Sequence, residues 1–268
     1  MSTRLSAFRV LPPLTGRQRP WRLVERNVRA YRRGWILFAT GFFEPILFLL
    51  SIGIGVGELV GKLPVGGHPV SYREFVAPGL LASAAMNGAL LDTTFNFFIK
   101  YKYSHTYDAI VATPVGAGDI ATGEITWALM RGAIYSTAFL FTMLLFGLVP
   151  SWWALLAVPA AVLIGFTFAS IGLACTTYMR SWVDFDYVNV ALVPLFLFSA
   201  TFFPISQYPA GLQAVIRVTP LYQGVVLVRG LVLGQVEWTL LVHVAYLVIA
   251  GAIGLRIAAR RIVRLLQP

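Results

Sequence analysis

Long runs of apolar residues are the feature that most constrains how this sequence can fold. A helix needs about 20 apolar residues to cross the hydrocarbon core of a bilayer. Hydrophobic residues make up 58% of the 268 residues and charged residues only 12%. A water-soluble domain of this length could not bury so much apolar surface. The sequence therefore predicts an integral membrane protein.

Six apolar runs are predicted to span the membrane. They must be helices, because the bilayer core offers no water to unpaired backbone groups and the period-two alternation of a barrel is absent. The predicted fold class is an all-α polytopic membrane protein whose transmembrane domain covers residues 35–259. The six spans are placed at Trp35–Val56, Phe75–Ile99, Ile125–Val149, Trp152–Tyr178, Tyr187–Phe203 and Trp238–Ala259.

Basic residues are concentrated at the two ends of the chain, and the formal net charge is +10. Residues 1–20 are predicted to form a basic N-terminal arm, and residues 260–268 a basic tail. With an even number of spans, the positive-inside rule places both termini in the cytoplasm of a multi-pass protein of the cell (inner or plasma) membrane. The predicted partners of these arginines are anionic membrane lipids and not nucleic acid.

Residues 21–34 are predicted to form an amphipathic helix that lies in the membrane interface. Trp21, Val24 and Val28 follow a helical spacing, and arginines such as Arg22 and Arg26 form the adjacent stripe. This arrangement lets aromatic rings lie among the headgroups while guanidinium groups meet phosphates.

The connection between spans two and three, residues 100–124, is long for a simple hairpin. Asp108–Ala112 predicts a short amphipathic helix that ends before Pro114. Asp119 is a predicted cap of the following helix. The pattern alone fits a docking surface and an ordinary solvated loop equally well.

The predicted outer segment, residues 204–237, contains two apolar pieces that are too short to span. Leu212–Val218 and Leu221–Leu233 are separated by Pro220, which favours re-entrant or interfacial helices. Because a lipid-facing arginine is costly, Arg229 is expected to reach water, a lipid phosphate or a partner acid near the outer face.

The spans hold a few polar residues but no recognisable catalytic set. The sequence lacks a P-loop, a zinc-protease motif and a nucleophile elbow, so no catalytic residue, metal or cofactor is predicted in this chain. Intramembrane polar residues indicate a substrate path or hydrogen bonds between helices. No charge pair is expected within the spans, and small residues at Gly165 and Gly172 predict close helix packing. The polar residues are Glu44 beside Pro45, Asn87, Asp92 and Asn96.

Three segments resemble the type-2 ABC transporter permeases, in particular those that export nodulation factors and, close by, antibiotics. They are Pro194–Gly234, Tyr107–Glu124 and the Glu44-Pro45 pair followed by glycines. Tyr208 stands where the family usually has leucine. The remaining residues of the outer signature are Ser199, Pro204, Pro209, Gln213, Pro220 and Arg229.

The resemblance implies a permease subunit of an ATP-driven exporter for a lipophilic drug, a glycolipid or a polysaccharide-type substrate. It implies two copies of a separate ATP-binding subunit, which hold ATP and Mg²⁺, and a second permease copy, identical or related. It also implies an N-terminal elbow helix and outer re-entrant helices. The residues implied to couple to the ATPase are Tyr107, Asp108, Ile110, Val111, Pro114, Asp119 and Glu124.

Two other classes remain open. A secondary transporter would show an internal repeat and intramembrane charge pairs for a coupling ion. An intramembrane enzyme would need a nucleophile with a base, or a metal set, inside the spans.

Overall fold

The computed structural model describes residues 19–31, 46–47, 49–51, 55–65, 68–111, 113 and 115–266. Most of the predicted first span, including Glu44 and Pro45, lies outside these described residues. The described part of the chain is mostly helical. Its α-helices are α1 (Arg19–Tyr31), α2 (Gly57–Val60), α3 (Tyr72–Leu91), α4 (Thr106–Val111), α5 (Ala117–Leu145), α6 (Ala157–Thr176), α7 (Asp184–Leu197), α8 (Ala210–Val218), α9 (Pro220–Leu233) and α10 (Leu240–Leu266).

Short stretches of other helix types extend these elements. Two π-helical turns, Asp92–Asn96 and Ile99–Tyr103, continue α3 toward α4. A 3₁₀ turn at Trp152–Leu156 precedes α6, and another at Ile205–Gln207 precedes α8. A π-turn inserts a residue into the helix. The helical residues after Asp92 therefore face different directions from those that the α3 pattern would give them.

A β-hairpin precedes α3, so the predicted all-α fold class was wrong in this detail. Strand β1 (Lys62–Val65) pairs antiparallel with β2 (His68–Ser71). In the sequence, two glycines separate the two strands, which is a hairpin signal, but the strands are short and lie outside the apolar runs. Ser71 then begins α3 with a capping box, since its backbone N–H donates to Glu74 and its hydroxyl accepts from the Glu74 N–H.

Four described helical segments are long and apolar enough to cross a membrane, and a fifth is added if α8 and α9 count as one span. α8 and α9 meet at an angle of 85°. The four segments coincide with the second, third, fourth and sixth predicted spans. They are Tyr72–Tyr103, Gly118–Leu145, Trp152–Thr176 and Leu240–Leu265.

The third predicted span begins earlier than expected. α5 begins at Ala117 rather than at Ile125, because the Asp119 carboxylate accepts the Gly116 N–H at 2.9 Å and so caps the helix. Asp119 does cap the helix, but it does so as the third helical residue, and Gly116 occupies the N-cap position.

The fifth predicted span, Tyr187–Phe203, corresponds to a shorter helix. α7 has 14 residues, which gives it a length of about 21 Å. The helix ends at Leu197 because the chain turns at Ala200, whose φ is 58°. The Ser199 hydroxyl donates to the Phe196 carbonyl at 2.7 Å and satisfies one of the last helical acceptors.

α6 lies at the centre of the bundle, in contact with α3, α5, α9 and α10. The predicted small face of α6 is confirmed as a site of close approach. A Cβ on Gly172 would lie 2.8 Å from Leu90 Cδ2 of α3. A Cβ on Gly254 of α10 would lie 2.9 Å from the backbone of Ser170 on α6. Gly172 therefore lets α6 approach α3 closely, and Gly254 lets α10 approach α6 closely.

Candidate functional site: a junction at one end of the bundle and the polar residues within it

The Glu124 carboxylate joins elements from four parts of the chain. Glu124 lies near the start of α5 and is only 3% exposed. Lys100 Nζ, from the second π-turn after α3, donates to Glu124 Oε2 at 2.7 Å. The Tyr107 hydroxyl, from α4, donates to Glu124 Oε1 at 3.0 Å. With two residues of α1, Arg26 and Asn27, these form what we call the Glu124 junction.

The two α1 residues complete the junction from the other side. Asn27 Nδ2 donates to Glu124 Oε2 at 3.2 Å, and Arg26 Nη2 donates to Glu124 Oε1 at 3.4 Å. Lys100 Nζ also donates to Asn27 Oδ1 at 3.4 Å. A buried carboxylate is costly unless it is paired and hydrogen-bonded, and here two cations and two neutral donors surround it.

Close backbone packing brings α1 to the junction. Leu23 and Val24 of α1 are buried, whereas Trp21 and Val28 are exposed. A Cβ on Gly123, the neighbour of Glu124, would lie 2.7 Å from Leu23 Cδ1. α1 covers residues 21–31 of the segment predicted to be helical, and residues 32–34 lie outside the described residues. The inner face of α1 rests on the start of α5.

Tyr107 ties α4 to the rest of the molecule. Its side chain is fully buried, and its ring stacks on Phe97 with the centroids 4.9 Å apart. Burial, together with the neighbouring Glu124 carboxylate, raises the pKa of Tyr107 well above its ordinary value of 10.0. The phenol therefore stays protonated and donates its hydrogen bond to Glu124.

The predicted coupling residues do not form a single surface. Tyr107 and Glu124 are buried and hold the segment to the bundle, so they offer no surface to a partner. Asp108 is exposed beside His105, and Ile110 is half-buried against the core. Asp119 caps α5. Pro114 and the side chain of Val111 lie outside the described residues.

An ion pair lies inside the predicted spans, contrary to the expectation that none would be found there. Arg131 of α5 and Asp92, at the first π-turn, approach to 2.7 Å and are both buried. Asn96 Nδ2 donates to Asp92 Oδ1 at 2.8 Å. The pairing follows from the high cost of an isolated charge in hydrocarbon.

Sequence reasoning missed Arg131 although its signal was visible. It is the one charged residue within the third apolar run. Asn87 does not join this pair, because it is exposed on α3, whereas Asn96 does. Glu44 lies outside the described residues.

Arg229 of α9 is buried, which corrects the expectation that it reaches water, lipid phosphate or a partner acid. Its guanidinium donates to the carbonyls of Phe75 at 3.1 Å, Ala200 at 2.8 Å and Thr201 at 3.3 Å. It also lies 3.8 Å from the centre of the Phe75 ring. Three carbonyl dipoles and an aromatic face offset the loss of hydration. Arg229 therefore joins the turn after α7 to the start of α3.

The other signature residues shape the bends around α8 and α9. Ser199 is buried and hydrogen-bonds Thr201. Gln213 donates to the Tyr208 carbonyl at 2.8 Å. The remaining members are prolines. The fixed φ of proline suits the first helical position, which Pro220 occupies. Pro204 precedes the 3₁₀ turn, Pro209 precedes α8 and Pro220 is the first residue of α9.

The apolar helices and their buried charges define a multi-pass membrane protein. Comparison with known families shows to which family of membrane proteins the chain belongs. The model of the ABC-2 type transporter family matches residues 20–233, so the chain belongs to that family. The resemblance to type-2 ABC permeases is confirmed. Membership implies an ABC ATP-binding partner in general, and together with the apolar helices it indicates an inner-membrane permease with a role in transport.

Individual relatives cover most of this chain. Nodulation protein J of Rhizobium leguminosarum bv. trifolii is 31% identical over 251 residues, which are 91% of this chain and 93% of the relative. Nodulation protein J of Rhizobium meliloti (strain 1021) is 30% identical over 80% of both chains. The inner membrane transport permease YadH of Escherichia coli (strain K12) is 24% identical over 73% of this chain and 75% of its own.

Proposed function

We propose that this chain is the permease subunit of an ATP-driven exporter. In this proposal, α4 contacts a separate ATP-binding subunit and transmits its conformational change to the permease. The Glu124 junction is the observation that carries this proposal, because it links α4 to three other elements through one buried carboxylate. ATP and Mg²⁺ belong to the partner subunit. The proposed assembly has two ATP-binding subunits and a second permease copy, identical or related.

The junction offers a physical route for coupling. A partner can drive transport only if its closed state favours one permease conformation over another. Tyr107 bonds Glu124 on α5 and stacks on Phe97, so a displacement of α4 acts on two membrane helices at once. The exposed side of α4, at Asp108 and Ala109, is the proposed contact surface.

The proposed topology has six spans and cytoplasmic termini. It follows from the arginine distribution and counts Trp35–Val56 as the first span. α1 is then the elbow helix at the inner interface, where exposed Trp21 and Val28 meet lipid. α9 has 14 residues, or about 21 Å, against about 30 Å of hydrocarbon. The bent α8–α9 pair is therefore proposed to enter from the outer face and return.

The substrate is proposed to be a lipophilic drug, a glycolipid or a polysaccharide-type molecule. The support is the relation to Nodulation protein J and to a transport permease, together with the apolar character of the helices. Substrate class is best separated by measuring export from vesicles that contain the complete complex, with one member of each class supplied in turn.

A secondary transporter is the second candidate, and the Asp92–Arg131 pair is the observation that favours it. Such pairs carry coupling protons in many transporters. The two candidates differ in energy source. An ABC exporter continues to transport when the proton gradient is collapsed and ATP is supplied, whereas a proton-coupled transporter stops. No described residue set supports the third class, an intramembrane enzyme.

The α4 proposal is tested by Ala109→Arg. Ala109 is exposed, so the substitution leaves the core intact, whereas Ile110→Asp would also disturb packing. We expect at least a tenfold loss of ATP-dependent export, with less ATP-binding subunit co-purified. Gln207→Arg, an exposed change in the 3₁₀ turn before α8 and outside the coupling segment, is the matched control. Wild-type co-purification and export by Ala109→Arg would refute the proposed contact.

A further inference from the structure

A groove of about 580 Å³ opens between α6, α9 and α10. Leu163 of α6, Leu227 and Leu231 of α9, and Leu241 of α10 are among the residues that line it. Its volume is within the range of about 300–1,000 Å³ that is usual for small-ligand sites. Apart from Glu237, the residues that line it are apolar. The groove therefore suits a hydrocarbon chain.

The groove lies near the start of two membrane-spanning helical segments, Trp152–Thr176 and Leu240–Leu265. Trp238 lines it and is 87% exposed. Exposed tryptophans at the ends of spans lie at the level of lipid headgroups. The leucines of α6 and α9 are then at the depth of the acyl chains, so an entering lipid tail would pass from the headgroup region directly along them.

Glu237 gives the groove a negative charge at the same end as Trp238. Its carboxylate accepts the Thr239 hydroxyl at 3.3 Å. None of the ion pairs found among the described residues includes Glu237. An exposed carboxylate beside an apolar groove attracts an amphiphile with a positive headgroup and repels one whose headgroup is only negative.

We propose that this groove binds one acyl chain of a phosphatidylethanolamine molecule, whose ammonium group pairs with Glu237. The apolar lining contacts the acyl chain, and the Glu237 carboxylate pairs with the headgroup. Trp238 sets the depth in the membrane at which the headgroup lies. The bound lipid fills the space between α6, α9 and α10. It would stabilise the position of α9, the helix that carries Arg229. This effect does not depend on which substrate is transported.

The experiment uses the complete complex with its ATP-binding subunit. The complex is equilibrated in detergent with equal amounts of phosphatidylethanolamine and phosphatidylglycerol, and native mass spectrometry counts the retained lipids. The wild type is expected to retain phosphatidylethanolamine with about fivefold preference, the most that an exposed ion pair usually provides. Glu237→Gln is expected to retain lipid without preference.

A groove-filling variant tests the tail separately. Leu241→Trp is expected to lose the bound lipid, whereas Ile249→Trp, on the same helix but outside the groove, retains it. Both leucine and isoleucine are exposed in this structure, so neither change disturbs the core, and gel filtration verifies assembly. The control thereby separates filling of the groove from the general effect of a new tryptophan.

Three results would overturn the proposal. The first is equal retention of both lipids by the wild type, and the second is equal lipid retention by Leu241→Trp and Ile249→Trp. The third is a disulfide between the Leu241→Cys residues of two permease copies, made in a Cys175→Ser background. That disulfide would show that a second chain, and not lipid, covers the groove.

Discussion

Each buried charge among the described residues has a partner that the apolar surroundings require. Glu124 meets Lys100, and Asp92 meets Arg131, at 2.7 Å in both cases. Arg229 instead uses backbone carbonyls. A buried pair is weak evidence of net stabilisation, but removing one partner leaves an uncompensated charge. The effects of single and double substitutions should therefore differ sharply.

Glu124→Gln tests the junction. We expect a loss of about 3 kcal/mol in the free energy of unfolding, because Lys100 stays partly buried without its counter-charge. Adding Lys100→Met should recover part of this loss. Thermal unfolding in detergent measures the effect, with Asp186→Asn, an exposed acid, as the control. If the single and double variants are equally stable, the two charges are not coupled.

The raised pKa of Tyr107 predicts that the protein loses stability in alkali. Because its pKa is raised in the folded state, the folded protein holds the phenolic proton more tightly than the unfolded chain does. The contribution is complete below the ordinary pKa of 10.0 and is lost as pH rises toward the folded pKa. Tyr107→Phe should therefore lose less stability than the wild type between pH 9 and about pH 11. Parallel unfolding curves of the two proteins over this range would contradict the prediction.

Glycines allow several pairs of helices to approach closely. α1 rests on α5 at Gly123, α3 on α6 at Gly172, and α10 on α6 at Gly254. α4 is too short to be stable alone, and it is held through Tyr107 and by contact with α10. The position of α4 therefore depends on how its neighbours pack.

Gly123→Ala tests the contact between α1 and α5. The new Cβ would lie 2.7 Å from Leu23 Cδ1 and 3.0 Å from the Pro20 carbonyl oxygen, so α1 must shift. We expect a loss of about 1–3 kcal/mol. Gly132→Ala is the matched control, because a Cβ there meets nothing within 4 Å, and it should raise stability by up to about 1 kcal/mol. Equal shifts in melting temperature would contradict the contact.

At the scale of the whole molecule, the described chain is a helix bundle with α6 at its centre and distinct ends. The Glu124 junction lies at one end, and the turn held by Arg229 lies at the other, since α3 runs from Phe75 toward Lys100. In the proposed topology the junction faces the cytoplasm. In that topology, the end with the Glu124 junction contacts the ATP-binding subunit, and the end with the turn held by Arg229 opens to the outside.

The orientation can be tested by labelling with an impermeant thiol reagent. In a Cys175→Ser background, Gln207→Cys should be labelled in intact cells, and Arg264→Cys only after the membrane is broken. Both positions are exposed, so access to the side chain is not limiting. The expectation follows from the excess of arginine at the proposed inner side. The reverse pattern of labelling would invert the topology and with it the exporter model.

Much of the helix content was predictable, because it depends on local properties. α4, α8 and α9 were each expected within a few residues, from amphipathic spacing and from prolines such as Pro220. The β-hairpin was not expected, since its strands are short and lie outside the apolar runs. α7 ended early because Ser199 and Ala200 form a turn that depends on contacts with distant residues.

Local sequence patterns are enough to identify a helical membrane protein of the type-2 ABC permease kind, because apolar run length and short motifs are properties of neighbouring residues. Which charges meet depends instead on how distant segments pack. Arg26 and Glu124 are 98 positions apart, and Arg229 and Phe75 are 154 apart. No local pattern specifies such pairs. They form because packed helices bring buried charges together, and in a medium without water each charge must find its partner there.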